Sequence, residues 1–372
     1  MTSMTSFGAA CLACTFALSV ASAAAETRWC RPTVPLYGYP PVLQMAGAEA
    51  YGSDRAAEPF VLAVMQAAAA WSGNEDEAAA QAIIGQMRRW AQAGALTRIV
   101  EVGEDASNTN SIYSLRRALV ALLAAWSDLS AAAAPDDRRA IDHWLAQLVA
   151  LQNTNTGGAK TRDVKPPVSN RNNHAYLRAT VDALWTVKTN DAKSFDRAVH
   201  TVQAALDGMR VDGSLPLETA RGARALWYQR HAIASLVYIG EILAERGYDI
   251  WQPRSDGRTL HDAVTFLAAA VRDPAKVDQY AGENRNPKPG SDPSRQDLGF
   301  LEPRGNGRHY MAWVEYYRHR FPDRAAKAGL DELIRPSLET ARPLIDELAG
   351  GNTTCKVASG RRRERTDKYK TN

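Results

Sequence analysis

The residues of this chain best suited to chemistry fall in two short stretches, Asn172-Asn173-His174-Ala175-Tyr176 and Arg221-Gly222-Ala223-Arg224-Ala225-Leu226-Trp227-Tyr228. The first precedes a helical run, so Asn170 or Asn172 is a natural N-cap. Asn173 and His174 then fall in the first turn, where unpaired N–H groups and the helix dipole favour an anion. In the second, a helix advancing ~100° per residue sets Arg221, Arg224 and Tyr228 on one side, with His231 nearby. Leu226, Ile233 and Val237 fall opposite, as a core-facing stripe should. The pattern predicts one helix that buries aliphatic residues and presents cations beside a phenol.

An amide, an imidazole, guanidinium groups and a phenol suit proton abstraction next to a carboxylate. In a uronic acid polymer the C5 proton lies beside an acid group whose negative charge makes that carbon a very weak acid. Neutralising the acid group with Asn173, His174 or Arg221 lets charge developing in the transition state spread onto its oxygens. A tyrosine, with an ordinary pKa of ~10, can act as the base once neighbouring cations favour its phenolate. Tyr228 has Arg221 and Arg224 at hand for this, and the same phenol could protonate the C4 oxygen as it leaves. Hydrolysis would instead need a pair of placed carboxylates, and neither stretch contains one. Taken alone, His174 fits a structural or surface role as well as a chemical one. His200, His261 and His319 read as ordinary surface residues.

Other chemistries lack their signatures. There is no His-Glu-x-x-His, no cysteine cluster and no calcium-loop spacing. There is no Gly-x-Ser-x-Gly elbow and no phosphate-binding Gly-rich loop. No metal and no cofactor is expected.

The elements that must carry the two stretches are helical. Amphipathic runs cover 56–71, 76–93, 111–129, 136–152, 174–188, 192–209, 219–246, 258–271, 308–320 and 324–348, mostly separated by Gly, Pro, Asn and Asp clusters. Ala67–Ala70 and Ala131–Ala134 favour helix and close packing, and no sustained β alternation is present. Helices of similar length joined as antiparallel hairpins imply an all-α fold, an incomplete (α/α) toroid or barrel. Two longer loops interrupt it. Thr154–Arg171 carries Lys160, Arg162, Lys165 and Arg171 and leads directly into Asn172, while Asp278–Asn306 contains Pro287, Pro289 and Pro293. Loops of that length commonly serve as lids or binding loops, or else are simply disordered.

Composition bounds the setting. The first 25 residues hold no charged side chain, and an apolar run from Phe7 to Val20 ends in small residues. This reads as a secretory signal peptide over 1–25; no later apolar run approaches the ~20 residues of a membrane span. Export would leave Cys30 and Cys355, either a disulfide joining the ends or two free thiols. The net charge of +4 arises from the C-terminal 351–372, whose seven Lys or Arg against two acids give +5. The domain boundaries expected are therefore 26–350 for the helical body and 351–372 for a basic, disordered tail. Bulk charge gives no argument for nucleic acid.

Asn-Asn-His-x-Tyr followed by Arg-x-x-Arg-Ala-Leu-x-Tyr resembles the alginate lyases of polysaccharide lyase family 5. Tyr51-Gly52-Ser53-Asp54 and Leu301-Glu302-Pro303 extend the similarity in the same order along the chain. The resemblance implies a deep cleft in an incomplete α/α barrel and β-elimination on poly-mannuronate without a required metal. It casts Tyr228 as base and acid, His174 as carboxylate neutraliser or as base on the epimeric uronate, and Asn173 and Arg221 as carboxylate binders. Arg224, Asn172, Tyr176, His231 and Tyr51 would contact substrate, Tyr51 from a lid. The first motif departs from the family at Ala175 and Leu177, which opens other β-1,4-linked uronates such as glucuronan as substrates. The expected partner is an acidic polysaccharide, with no nucleic acid, no membrane after leader removal, and a monomeric protein. The rivals are a helical-barrel glycoside hydrolase and a non-catalytic polysaccharide binder.

Overall fold

The computed structural model describes residues 28–45, 56–100, 109–154, 168–254, 256–283 and 292–360. The leader over 1–25, Tyr51 and its neighbours, and Lys160, Arg162 and Lys165 lie outside the described residues. Among those described, no helix is long and apolar enough to cross a membrane.

The helices are α1 (Glu58–Asn74), α2 (Glu77–Gln92), α3 (Thr109–Leu129), α4 (Pro135–Thr154), α5 (Asn173–Thr189), α6 (Ala192–Asp207), the single turn α7 (Pro216–Thr219), α8 (Ala225–Ala244), α9 (Leu260–Arg272), α10 (Ala275–Ala281), α11 (Val314–Arg320), α12 (Pro322–Lys327) and α13 (Leu330–Thr340). They form the expected incomplete α/α toroid. In the inner layer α1 packs on α3, α3 on α5 and α5 on α8; the outer layer sets α2 on α1, α4 on α2 and α3, α6 on α5 and α9 on α8. Inner α1 is buried nearly all round, with Ala67, Ala68, Ala69 and Ala70 in the core, because alanine lets neighbouring backbones approach. Outer α2 buries one stripe that includes Ala80, Ile83, Ile84, Met87 and Trp90, and exposes Glu77, Gln81, Arg88, Arg89 and Gln92. The α1–α2 and α5–α6 connections are short, and each carries a local side-chain cap. Asp76 accepts from the Ala79 N–H at 3.0 Å, and Asp191 accepts from Lys193 and Ser194.

Strands are confined to two pairs among the described residues. Gln44–Met45 (β1) runs parallel to Arg98–Ile99 (β2), and Ile345–Asp346 (β3) antiparallel to Gly351–Asn352 (β4). Cys30 and Cys355 form a disulfide that ties the first described turn to the last helix across α1. Gly73 lies directly under the sulfurs, where a Cβ would have no room.

Several expectations need correction. The folded body does not end at 350: Gly351–Asn352 is β4, residues 353–360 are helical, and Cys355 is wholly buried. The run 324–348 is broken by Gly329 at φ +67° and ends at Thr340. The run 308–320 is helical only from Val314. His261 is no surface residue. It is buried against Trp251, with Nδ1 2.9 Å from the Tyr317 hydroxyl. The run 219–246 is helical only from Ala225, and the cause bears on the site.

Candidate active site

Asn172 caps α5 as its type predicts. Its backbone is extended, and its side-chain oxygen accepts from the His174 N–H at 3.1 Å. Asn173 follows inside the first turn, 1 % exposed, and its N–H donates to Glu218 Oε1 at 2.7 Å. Its own Oδ1 has no partner, nor does Nδ1 of the neighbouring His174. Two buried polar atoms without partners on adjacent residues of one helix start are costly unless something binds there.

Arg221 and Arg224 do not ride on the helix of Tyr228. Gly222 adopts φ +56°, a left-handed conformation that glycine takes without a Cβ clash. Gly222–Arg224 then forms a 3-10 turn, and α8 starts at Ala225. The chain thereby doubles back, and the Arg221 guanidinium lies 3.9 Å from the centre of the Tyr228 ring. The helical lattice predicted this neighbourhood by the wrong route. Arg224 turns to Asp297, its Nε 3.8 Å from Oδ2.

Segment 292–301 holds this reversal in place. The Leu226 N–H, in the first turn of α8, donates to Gln296 Oε1 at 3.1 Å, and Gln296 Nε2 donates to the Gly222 carbonyl at 3.1 Å. The Asp297 N–H donates to the Ala223 carbonyl at 2.7 Å. The residues expected to form a loop over 278–306 thus include the end of α10 and a clamp on the start of α8.

The remaining predicted residues divide. His231 is 6 % exposed and stands behind Tyr113, with Nε2 2.7 Å from the Tyr113 hydroxyl. The Tyr113 ring packs on the His174 ring at 4.5 Å between centroids, so three rings from α3, α5 and α8 stand in series. Tyr176 is buried on the far side of α5. It donates to the Arg171 carbonyl at 3.2 Å and lines a separate cavity of about 580 Å³. Leu177 and Ala175, the departures in the motif, are buried as well.

The electrostatics draw the cluster together. Burial, then the nearby Arg116 and Arg221, push the His174 imidazole down to about 3, so it is neutral across ordinary pH. Burial likewise lowers His231, with Arg230 and Arg117 adding to it. Burial pushes Glu218 up to about 8 against the opposing pull of Arg221 and the Asn173 N–H. Sequence reasoning missed Glu218, Tyr113 and Gln296. Glu218 lies in the segment leading to Arg221, but a Glu in a first helical turn ordinarily reads as a surface partner of the dipole. Tyr113 sits in an amphipathic run and Gln296 in a loop, and neither position carries a local signal. Among the described residues no group of three or more His, Cys, Asp or Glu comes together that could hold a metal ion.

A family model described as alginate lyase matches residues 22–277. A polysaccharide lyase of Stenotrophomonas maltophilia is 31 % identical over 255 residues, 67 % of this chain and 66 % of its own length. An alginate lyase of Pseudomonas aeruginosa is 30 % identical over 212 residues, 54 % of this chain and 52 % of its own. The matched stretch thus spans about two-thirds and about half of these relatives. Among solved structures, alginate lyase A1-III of Sphingomonas species A1 superposes with a TM-score of 0.67 at 23 % identity, over 89 % of each chain. A variant of alginate lyase A1-III complexed with a tetrasaccharide gives 0.68 at 23 % identity, over 89 % of this chain and 88 % of its own.

Proposed function

We propose, from the premise that the chain belongs to the alginate lyase family, that it depolymerises alginate by β-elimination, preferring mannuronate blocks and attacking within the polymer. The observation that carries this reading is the Arg221 guanidinium 3.9 Å from the centre of the Tyr228 ring, next to an α5 start whose Asn173 Oδ1 and His174 Nδ1 are unpaired.

In this reading the uronate carboxylate sits against Asn173, His174 and Arg221. An amide can present its NH₂ by flipping, and a neutral imidazole can carry its proton on either nitrogen, so both can donate to a carboxylate. Arg221 adds a full charge there and also faces the phenol ring, where a cation favours the negative charge that forms as the proton leaves. The Tyr228 oxygen takes the C5 proton, the electron pair forms the C4–C5 double bond, and the C4–oxygen bond breaks. The departing oxygen receives that same proton from Tyr228. Two chain ends result, one of them a 4,5-unsaturated uronate, and no water is consumed. Neutral His174 also fits the base role on the epimeric sugar.

The uncharged, apolar sequence over 1–25 and the Cys30–Cys355 disulfide support an exported protein, since disulfides persist in oxidising compartments. We read the protein as a monomer. Glucuronan is the weaker substrate: the motif departures that suggested it, Ala175 and Leu177, are buried.

The test is release of ultraviolet-absorbing unsaturated ends from poly-mannuronate, poly-guluronate and glucuronan. Tyr228→Phe should lower kcat by at least ~10³-fold, or ~4 kcal/mol, with the thermal midpoint unchanged. Full activity in that variant would end the proposal, as would new reducing ends without unsaturation.

A further inference from the structure

Glu218 stands between the two stretches that build the site. It belongs to the turn α7, shortly before Arg221, and is 0 % exposed. Oε1 accepts the Asn173 N–H at 2.7 Å, and Oε2 has no hydrogen-bond partner. No cation lies within ion-pairing distance of it among the described residues. A carboxyl in that position takes up a proton, because a buried charge without a partner costs several kcal/mol.

The groups facing it are few. Arg221 on its own segment favours the ionised form, while Tyr176 from α5 is a buried neutral phenol that senses its charge. α8 presents the neutral Gln229, whose oxygen accepts the Leu215 N–H at 2.9 Å. Beyond Thr219, Arg210 donates to the Thr219 hydroxyl at 2.9 Å while its guanidinium covers the Tyr280 ring of α10 at 3.9 Å.

We propose that Glu218 is a positioning residue for the carboxylate-holding end of the site, acting as a neutral acid. Through the Asn173 N–H it fixes the residue that meets the substrate's acid group. By carrying a proton it leaves the charge of Arg221 free for the substrate. Ionising it would place a second negative charge beside the bound carboxylate and divert Arg221 towards Glu218. This inference rests on the lyase reading above and adds to it a residue with a defined protonation state.

The direction with pH follows. Burial holds the acid up to about 8, so the competent form is present below that pH and is lost as pH rises through it. The unfolded chain ionises this group near the ordinary value of ~4.3, so the native state binds more protons between the two values. Its contribution to stability therefore falls as pH rises from the lower to the higher.

The experiment compares wild type, Glu218→Ala and Glu218→Gln on poly-mannuronate, reading kcat/KM and the thermal midpoint from about pH 5 to about pH 9. Expected is a loss of ~30-fold in Glu218→Ala near neutral pH and its recovery to within about threefold in Glu218→Gln, whose amide keeps one acceptor and one donor in place. The alkaline fall of kcat/KM should shift up by about one unit or more in Glu218→Gln, and the decline of its thermal midpoint with pH should flatten. Recovery failing in a folded Glu218→Gln would overturn the proposal, and so would pH profiles identical to wild type. If neither variant folds, the infrared band of a protonated carboxylic acid in the wild type decides, its disappearance below about pH 7 counting against the proposal. A wild type that yields no unsaturated ends from any uronate fails the lyase reading, while the midpoint slope and infrared band still judge Glu218.

Discussion

The start of α5 has a local cap, with Glu218 as a second hold on the Asn173 N–H, whereas the start of α8 has no side-chain cap of its own and is held from seventy residues away. Asn172 caps α5 through the His174 N–H two residues on. Arg224, in the same position before α8, makes no side-chain cap. Gln296 supplies the acceptor for Leu226 across a separation of 70 residues and steadies the Gly222 carbonyl across 74. The two halves of the candidate site thus differ in what aims them. One starts from a local helix cap that Glu218 supplements, and the other depends on a tertiary clamp on a glycine turn. Damage to the clamp should reach activity first, and damage to the cap should reach stability first.

Arg221→Lys is the strongest way to break that contrast. Lysine keeps the positive charge but loses the flat guanidinium that covers the Tyr228 ring at 3.9 Å. A fall of ~10²-fold in kcat, ~2.7 kcal/mol, is expected with little change in thermal midpoint. Wild-type turnover in this variant would mean that charge suffices and that the aim of the reversal is unimportant. Gln296→Ala tests the clamp one step removed. It leaves the Leu226 N–H and the Gly222 carbonyl without their partner, which should cost ~1 kcal/mol of stability. The loosened turn should also lower kcat about tenfold. A stability loss with full activity would show that the clamp supports the fold but does not aim Arg221.

The same contrast explains what was legible in the sequence. The α5 start was readable because capping is a short-range rule, and Asn172 lies where the pattern put it. The toroid was readable because the period and spacing of the helical runs determine which faces must be buried. The α8 start was misread because a helical lattice drawn through Arg221, Arg224 and Tyr228 ignores Gly222, whose positive φ ends the lattice. The correct neighbourhood was reached only because the reversal folds Arg221 back over the same face. Glu218 and Tyr113 were invisible for another reason. Each is a residue type found mostly at the surface or in the core, and no local pattern tells a buried acid from an exposed one. Basic composition likewise drew the tail from 351, whereas Cys355 in its disulfide carries residues 353–360 into the fold.

Asn172→Ala should have the smallest effect and is the most exacting test. Its side chain is occupied by the His174 N–H, and the alanine variant loses that cap at a cost of ~1 kcal/mol. In a domain of this size that lowers the thermal midpoint by roughly two degrees. Asn173 remains tied to Glu218 through its own N–H, so the direction of the first turn survives without the cap. Turnover of poly-mannuronate should therefore stay within about twofold of wild type, and Asn172→Ser should restore the lost stability. If Asn172→Ala instead lost activity as severely as Arg221→Lys while keeping its midpoint, Asn172 would be a substrate contact. The α5 start would then be tuned for its ligand as closely as the α8 start, and the division between a capped half and a clamped half would fail.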